Sequence, residues 1–348
     1  MPAKSVLSYS HAHPFVLSIS ETPSLRRYPE LEDFINMGSF LGHLVPGLFF
    51  TLFPLWWIYS IFRRYFITKK FHQNGEKGYL NTVSFPCRMC DGRIPVEGLI
   101  KLVSVIIGVI GEAATAFENG KFAHLGNVQH ITMYSFFGFS GILDILYHWQ
   151  CRALPPDLDY VAAFLAFAAE GFIFFNHLHR RTPMDIQIHM MLFVAIVACA
   201  LAVLLELKYR RNVLAALARS YFTLLQGTWF FQVGFILYPP FPFLEKWEET
   251  NHKQMMVTTL LFTWHAAAHV VVVLGIGFWV FLQVEKISVC PENEFMFEGD
   301  SAPPLYQRLS DNKWFGVYKD DDDDLAMSRV KRRGRNEAES AESEIEAI

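Results

Sequence analysis

The chain has 348 residues, is 52% hydrophobic and 16% aromatic, and carries a formal net charge of −4 at pH 7. That content is too apolar for an ordinary soluble enzyme. No nucleic-acid-binding pattern or phosphate-binding glycine loop accompanies the basic residues, so nucleic acid is not an expected partner.

Residues 1–36 are polar, with scattered Pro, Ser and charge, and read as a disordered N-terminal extension. The pattern changes at Met37. From there to residue 285, runs near the 20 or so residues that a bilayer crossing needs occur seven times: Phe40–Phe62, Val96–Thr115, Val128–Tyr147, Tyr160–Asn176, Ile186–Glu206, Val213–Leu237 and Met255–Phe281. Each carries Gly, Ser, Thr, Gln or a charge, as helices packed on other helices do. The expected fold is all-α, a polytopic seven-helix transmembrane bundle in the lipid bilayer.

Helix one opens with Gly42, His43, Pro46 and Gly47, and His43 reads as a capping or packing histidine. The loop Arg63–Ile94 holds Arg63, Arg64, Lys69, Lys70, Lys77, Arg88 and Arg93, and reads as flexible. Cytosolic loops are enriched in Lys and Arg. With Arg152, Lys208, Arg210 and Arg211 falling on the same side, this loop places the N-terminus in the lumen or outside the cell and the C-terminus in the cytosol. Cys87-x-x-Cys90 in that loop is either half a zinc site or a solvent-exposed pair. No cysteine is expected on the lumenal side, so no disulfide framework is expected.

Ionisable groups inside a bilayer are costly and mark a bundle interior or a cavity. Helix two carries Glu112, and helix three carries His130 near its start and Asp144 and His148 near its end. Asp144 and His148 are four apart, so a local salt bridge is expected. Helix four holds Glu170 and, two turns on, His177 on the same face. His179 points away from that face. Helix five opens with Asp185 and His189, where Asp185 is suited to orient the imidazole or to cap the helix. Glu206 beside Lys208 reads as a snorkelling or paired charge at the helix end. In helix six Gln226, Trp229 and Gln232 form one stripe. Helix seven carries His265 and His269, four apart and able to address one metal or haem edge.

Depth along each helix follows from 1.5 Å per residue. Glu170 and His265 both fall roughly 15 Å in, and Glu112, His130, His177 and His189 lie in the lumenal half. The expectation is a polar pocket made of Glu112, His130, Glu170, His177, Asp185, His189, Gln232, His265 and His269. It opens to the lumen, with Glu170 and His265 meeting at its floor and His177 and His189 at its mouth. Candidate metal ligands are His177, His189, His265 and Glu170.

Four motifs carry a family likeness: GHLVPGLFF (Gly42–Phe50), HITMYSFFGFSGILDIL (His130–Leu146), EGFIFFNHLHRRTPMDIQIH (Glu170–His189) and RRNVLAALARSYFTLLQGTWFFQVGFILYPP (Arg210–Pro240). Together they resemble the transmembrane protein 45 family over roughly Met37 to Glu285. The resemblance implies a seven-helix membrane protein and no particular reaction. The N-terminal extension, the Cys87/Cys90 loop and a longer tail depart from the family pattern.

The tail, 286–348, contains the acid run Asp320–Asp324, the basic cluster Lys331, Arg332, Arg333 and Arg335, and a Glu-rich end. Such composition cannot bury a core, and it reads as a disordered cytosolic segment that engages protein partners.

Three functions fit these features. The leading one is a non-catalytic membrane protein in trafficking, signalling or scaffolding, with its polar groups locking the bundle. A second is a proton-coupled transporter or a haem- or metal-binding redox protein. The third is a zinc-dependent hydrolase resembling the alkaline ceramidases and adiponectin receptors. Helix two departs from those enzymes by carrying Glu112 where they supply a Ser and a His.

Overall fold

Pro46 and Pro54 lie inside α1 (Pro29–Phe71) without ending it. Within a bundle, neighbouring helices and side chains re-satisfy the backbone groups that a proline frees. The computed structural model describes residues 29–71, 79–86, 94–118, 121–122, 125–151, 153–176, 178, 181–241 and 243–288. After α1 come α2 (Val96–Thr115), a two-residue hairpin of β1 (Phe117–Glu118) and β2 (Lys121–Phe122), and α3 (Leu125–His148). The remaining helices are α4 (Leu158–Asn176), α5 (Pro183–Lys208), α6 (Val213–Leu237) and α7 (His252–Glu285). The expectations for Cys87, Cys90, His177, His179 and the tail from 289 onward fall outside the described residues.

The seven helices form an all-α membrane bundle, and each expected apolar run lies within one of them. Five of them are long and apolar enough to cross a membrane by composition: Phe40–Phe71 of α1, α2, α4, α5 and α7. The structure shows why α6 is less apolar. It packs against α1, α5 and α7, and fifteen of its residues are buried, Arg219, Ser220, Thr223 and Gln226 among them. A helix surrounded by protein need not match the lipid. By contrast, Val103, Ile106, Ile107 and Ile110 of α2 and Leu260, Trp264, Val271 and Leu274 of α7 are exposed. Apolar faces of that extent are covered by lipid in a stable protein. The chain is a multi-pass integral membrane protein.

Around the bundle the helices run α2, α3, α4, α5, α6, α1, with α7 outside against α1 and α6. Contacts between α1 and α2 are sparse. The α1–α6 seam depends on glycine. A Cβ on Gly227 would stand 2.3 Å from the carbonyl carbon of Phe50, and one on Gly47 would stand 2.8 Å from the Phe231 ring. The two backbones therefore approach directly, as small residues permit in membrane interfaces. On the other flank Met184, Ile188, Leu192 and Ile196, every fourth residue of α5, bury their side chains against Trp229, Val233 and Ile236. Trp229 Nε1 donates to the Ile188 carbonyl at 2.9 Å.

We call the end where α1, α3, α5 and α7 begin the near end, and the opposite one the far end. The segment 79–86, expected to be part of a flexible loop, is instead packed into the far end. The Asn81 backbone N–H donates to the Arg210 carbonyl at 2.7 Å, and its Nδ2 donates to the Asn212 carbonyl at 2.9 Å. Arg64 Nη1 donates to Thr82 Oγ1 at 2.7 Å, and Val83 is buried. One asparagine supplies both anchors, its backbone N–H reaching the turn after α5 and its side-chain amide reaching the carbonyl of Asn212, the residue that caps α6.

Candidate functional site

The ring of α1 to α6 encloses a cavity of about 1060 Å3. It reaches from Gly42, His43 and Tyr238 at the near end to Trp57, Val83, Lys101 and Arg219 toward the far end. Gly42 to Trp57 is alone about 22 Å of helix. Much of its wall is aromatic, with Phe50 from α1, Phe137 from α3, Phe167 and Phe174 from α4, and Phe230 from α6. These rings form one continuous cluster. Phe50 stacks on Phe230 at 5.8 Å between centroids and meets Phe137 edge-on at 5.3 Å, and Phe137 meets Phe167 edge-on at 5.4 Å. Such geometries match the ring quadrupoles.

Polar groups occupy three levels. At the far end Arg219 Nε donates to Glu206 Oε2 at 2.6 Å, and Tyr160 Oη donates to Glu206 Oε1 at 3.1 Å. The Arg219 guanidinium also lies 4.4 Å over the Trp57 ring and donates to the carbonyls of Thr82 and Val83. Lys101 Nζ donates to Asp144 Oδ2 at 2.5 Å and to Ser140 Oγ at 3.3 Å. Glu97 accepts from Trp57 Nε1 at 2.7 Å, from Trp56 Nε1 at 3.3 Å and from the Phe85 backbone N–H at 2.8 Å, tying α1 to α2. Removing these charges from water is costly. Arg219 and Lys101 each pair with an acid, Glu97 is held by three neutral N–H donors, and Asp144 Oδ1 is buried with no partner among the described residues.

Midway along α4 stands Glu170, buried, with Phe167 and Phe174 about one turn to either side. Gln226 Nε2 donates to its Oε1 at 2.8 Å. Its Oε2 is buried and has no hydrogen-bond partner among the described residues.

At the near end the Asp185 carboxylate gathers two groups. His189 Nδ1 is 2.6 Å from Asp185 Oδ1, and Arg181 Nη1 donates to both carboxylate oxygens, at 3.1 and 3.0 Å. The helix itself is capped by Thr182, whose side chain accepts from the Asp185 N–H, with Pro183 following at the first position. The His43 ring meets His189 edge-on at 5.9 Å, and Phe174 lies 6.1 Å from His189 on another side. Across the mouth His130 Nδ1 lies 3.0 Å from Glu112 Oε1.

Glu112, His130, Glu170 and His189 therefore line one cavity, with Asp185 behind His189. Gln232 is half-buried on α6 and is not on the cavity wall. The expected meeting of Glu170 with His265 does not occur, because α6 stands between them. Gln226 faces Glu170, whereas Thr228, two residues on, faces α7. Thr228 Oγ1 lies 3.2 Å from His265 Nδ1 and 3.1 Å from His269 Nε2. Trp229 also meets His265 edge-on at 5.6 Å, and Tyr221 Oη donates to the Ala266 carbonyl at 2.9 Å. The His265/His269 pair thus fastens α7 to α6. For the same reason His265 does not join the candidate metal ligands Glu170 and His189, which line the cavity. Among the described residues no group of three or more His, Cys, Asp or Glu is placed to hold a metal.

One expected pairing changes as well: Asp144, expected to bridge to His148 on its own helix, takes Lys101 of α2. Glu206 is a paired charge, one of its two expected readings, and its partner is Arg219 of α6. Neither Lys101 nor Arg219 is among the candidates named from the sequence. The signal that marks them is a basic residue inside an apolar run.

A protein family described as "Family of unknown function (DUF716)" matches residues 156–278, which include Glu170, Asp185, His189, Arg219 and Gln226. The chain is also similar to transmembrane epididymal protein 1A of Mus musculus, with 22% identity over 295 residues, or 79% of this chain and 93% of the relative. Transmembrane epididymal protein 1 of Rattus norvegicus is 22% identical over 293 residues, covering 78% and 92%. The human protein of the same name is 22% identical over 201 residues, covering 55% and 71%. These matches correct the family expected from the motifs: they are to the family of unknown function and to transmembrane epididymal proteins, in place of the transmembrane protein 45 family.

Proposed function

We propose that this protein is a non-catalytic, seven-pass membrane receptor or carrier that binds an amphipathic small molecule inside its bundle. The cavity carries the reading. Its volume of about 1060 Å3 is just above the roughly 300–1,000 Å3 usual for small-molecule sites. Aromatic walls with a few fixed polar groups are the composition such sites have. The far-end ion pairs Arg219–Glu206 and Lys101–Asp144 tie neighbouring helices together, which suits a structural role better than a reactive one. The loop charges support a lumenal or extracellular near end and a cytosolic far end. The basic and acidic tail supports a role for it in contacting protein partners.

The test is to extract small molecules from protein purified in mild detergent and to compare wild type with Ile173→Trp by mass spectrometry. Ile173 is half-buried on the cavity wall one turn from Glu170, so an indole there reduces the space. A species that co-purifies with wild type and is depleted in the variant supports the reading. Identical extracts from both proteins, with nothing beyond bulk lipid and detergent, would overturn it.

A further inference from the structure

Among the charged groups on the cavity wall, Glu170 is the one with neither a basic nor an imidazole partner among the described residues. Lys101 pairs with Asp144, Arg219 with Glu206, Arg181 with Asp185, and Glu112 with His130. Glu170 has only the neutral amide of Gln226 on Oε1, while Oε2 is buried without a partner and no basic side chain among the described residues pairs with it. A buried carboxylate oxygen left unsatisfied is expensive and is retained where something else satisfies it. The same cavity wall carries Phe50, Phe137, Phe167, Phe174 and Phe230, and aromatic rings attract cations and exclude water.

We propose that the cavity takes a lipophilic monocation, an amine on an apolar body, with the ammonium donating to Glu170 Oε2. This rests on the cavity reading above and names its ligand class. Two features of the wall select the charge. The ionised Glu170 carboxylate neutralises one positive charge, and the basic groups Lys101, Arg181 and Arg219 are already engaged, so an anion would meet repulsion without compensation. Gln226 holds Oε1, which orients the carboxylate and leaves Oε2 for the ligand. The aromatic cluster then receives the apolar body, with the mouth at His43, His189 and Tyr238 as the route in.

The experiment uses full-length protein in nanodiscs and three fluorescent probes sharing one dye: dansylcadaverine (cationic), dansylamide (neutral) and dansylaminoundecanoate (anionic). Wild type should bind the amine about tenfold or more tightly than the anion, the scale of one charge-assisted hydrogen bond. Glu170→Gln should reduce the amine affinity relative to that of dansylamide by a similar factor, and Glu170→Asp should restore part of it. Equal or tighter binding of the anion by wild type overturns the proposal, as does an amine preference that survives Glu170→Gln. If Glu170→Gln does not fold, the charge preference of wild type decides alone. If no probe binds, or Ile173→Trp leaves all three unaffected, the cavity reading itself fails. That outcome differs from dansylamide binding that is blocked by Ile173→Trp without a preference for the amine.

Discussion

Arg219 and Glu206 form an ion pair at 2.6 Å with the side chains 2% and 0% exposed, joining α6 to α5 at the far end of the bundle. Tyr160 and the carbonyls of Thr82 and Val83 complete its hydrogen bonds, so three helices and the packed loop meet at one charge pair. Breaking such a pair strands a buried charge, whereas replacing both members removes the problem. Arg219→Met or Glu206→Leu alone should cost about 3–5 kcal/mol. The double variant should recover most of that loss. Thermal unfolding of detergent-solubilised protein measures all three, and equal melting of the singles and the double would count against the pair as a unit.

Gly227 sets the spacing of α1 and α6. Because an added Cβ would collide with the backbone of Phe50 and not with a movable side chain, Gly227→Ala should cost about 1–3 kcal/mol or more. Gly275→Ala is the control, since nothing lies within 4 Å of its Cβ position. Size-exclusion profiles after mild heating should separate the two variants, with Gly275→Ala matching wild type. Equal behaviour would mean that the seam is looser than its geometry implies.

His265 and His269 hold α7 through Thr228 and so act on attachment, apart from the cavity. His265→Ala should lower stability by about 0.5–2 kcal/mol, the range of interhelical hydrogen bonds in membranes. Combined with Glu170→Gln its effect should add, because α6 separates the two side chains and they share no partner. A coupling energy clearly above about 0.5 kcal/mol would contradict that separation.

The orientation proposed from Lys and Arg makes a simple cellular prediction. An epitope fused after Ile348 should become accessible to antibody only once the cells are permeabilised. Labelling on intact cells would reverse the placement of the near end on the lumenal or extracellular side and of the far end in the cytosol.

Much of the architecture was legible in the residues. Seven apolar runs became seven helices, because a long apolar segment in a bilayer has no other way to satisfy its backbone. The order of polar groups along each axis was legible too, since the rise per residue is constant. Even so, the sequence of 79–86 reads as part of a flexible loop. The bonds that pin it go to the ends of α5 and α6, more than a hundred residues away, and no local pattern announces them.

Depth is a property of one helix, but facing is a property of a pair. The sequence by itself determined that Glu170 and His265 lie at similar depth, and that Asp185 and His189 share a face. Only the tertiary structure decided that α6 would turn Gln226 toward Glu170 and Thr228 toward His265. It also decided that Glu206 would find Arg219 and Asp144 would find Lys101. The rotation of a helix about its own axis is set by the close approach at Gly47 and Gly227 and by the Met184–Ile196 stripe. Packing of that kind is a sum over neighbours, and no single run of residues contains it.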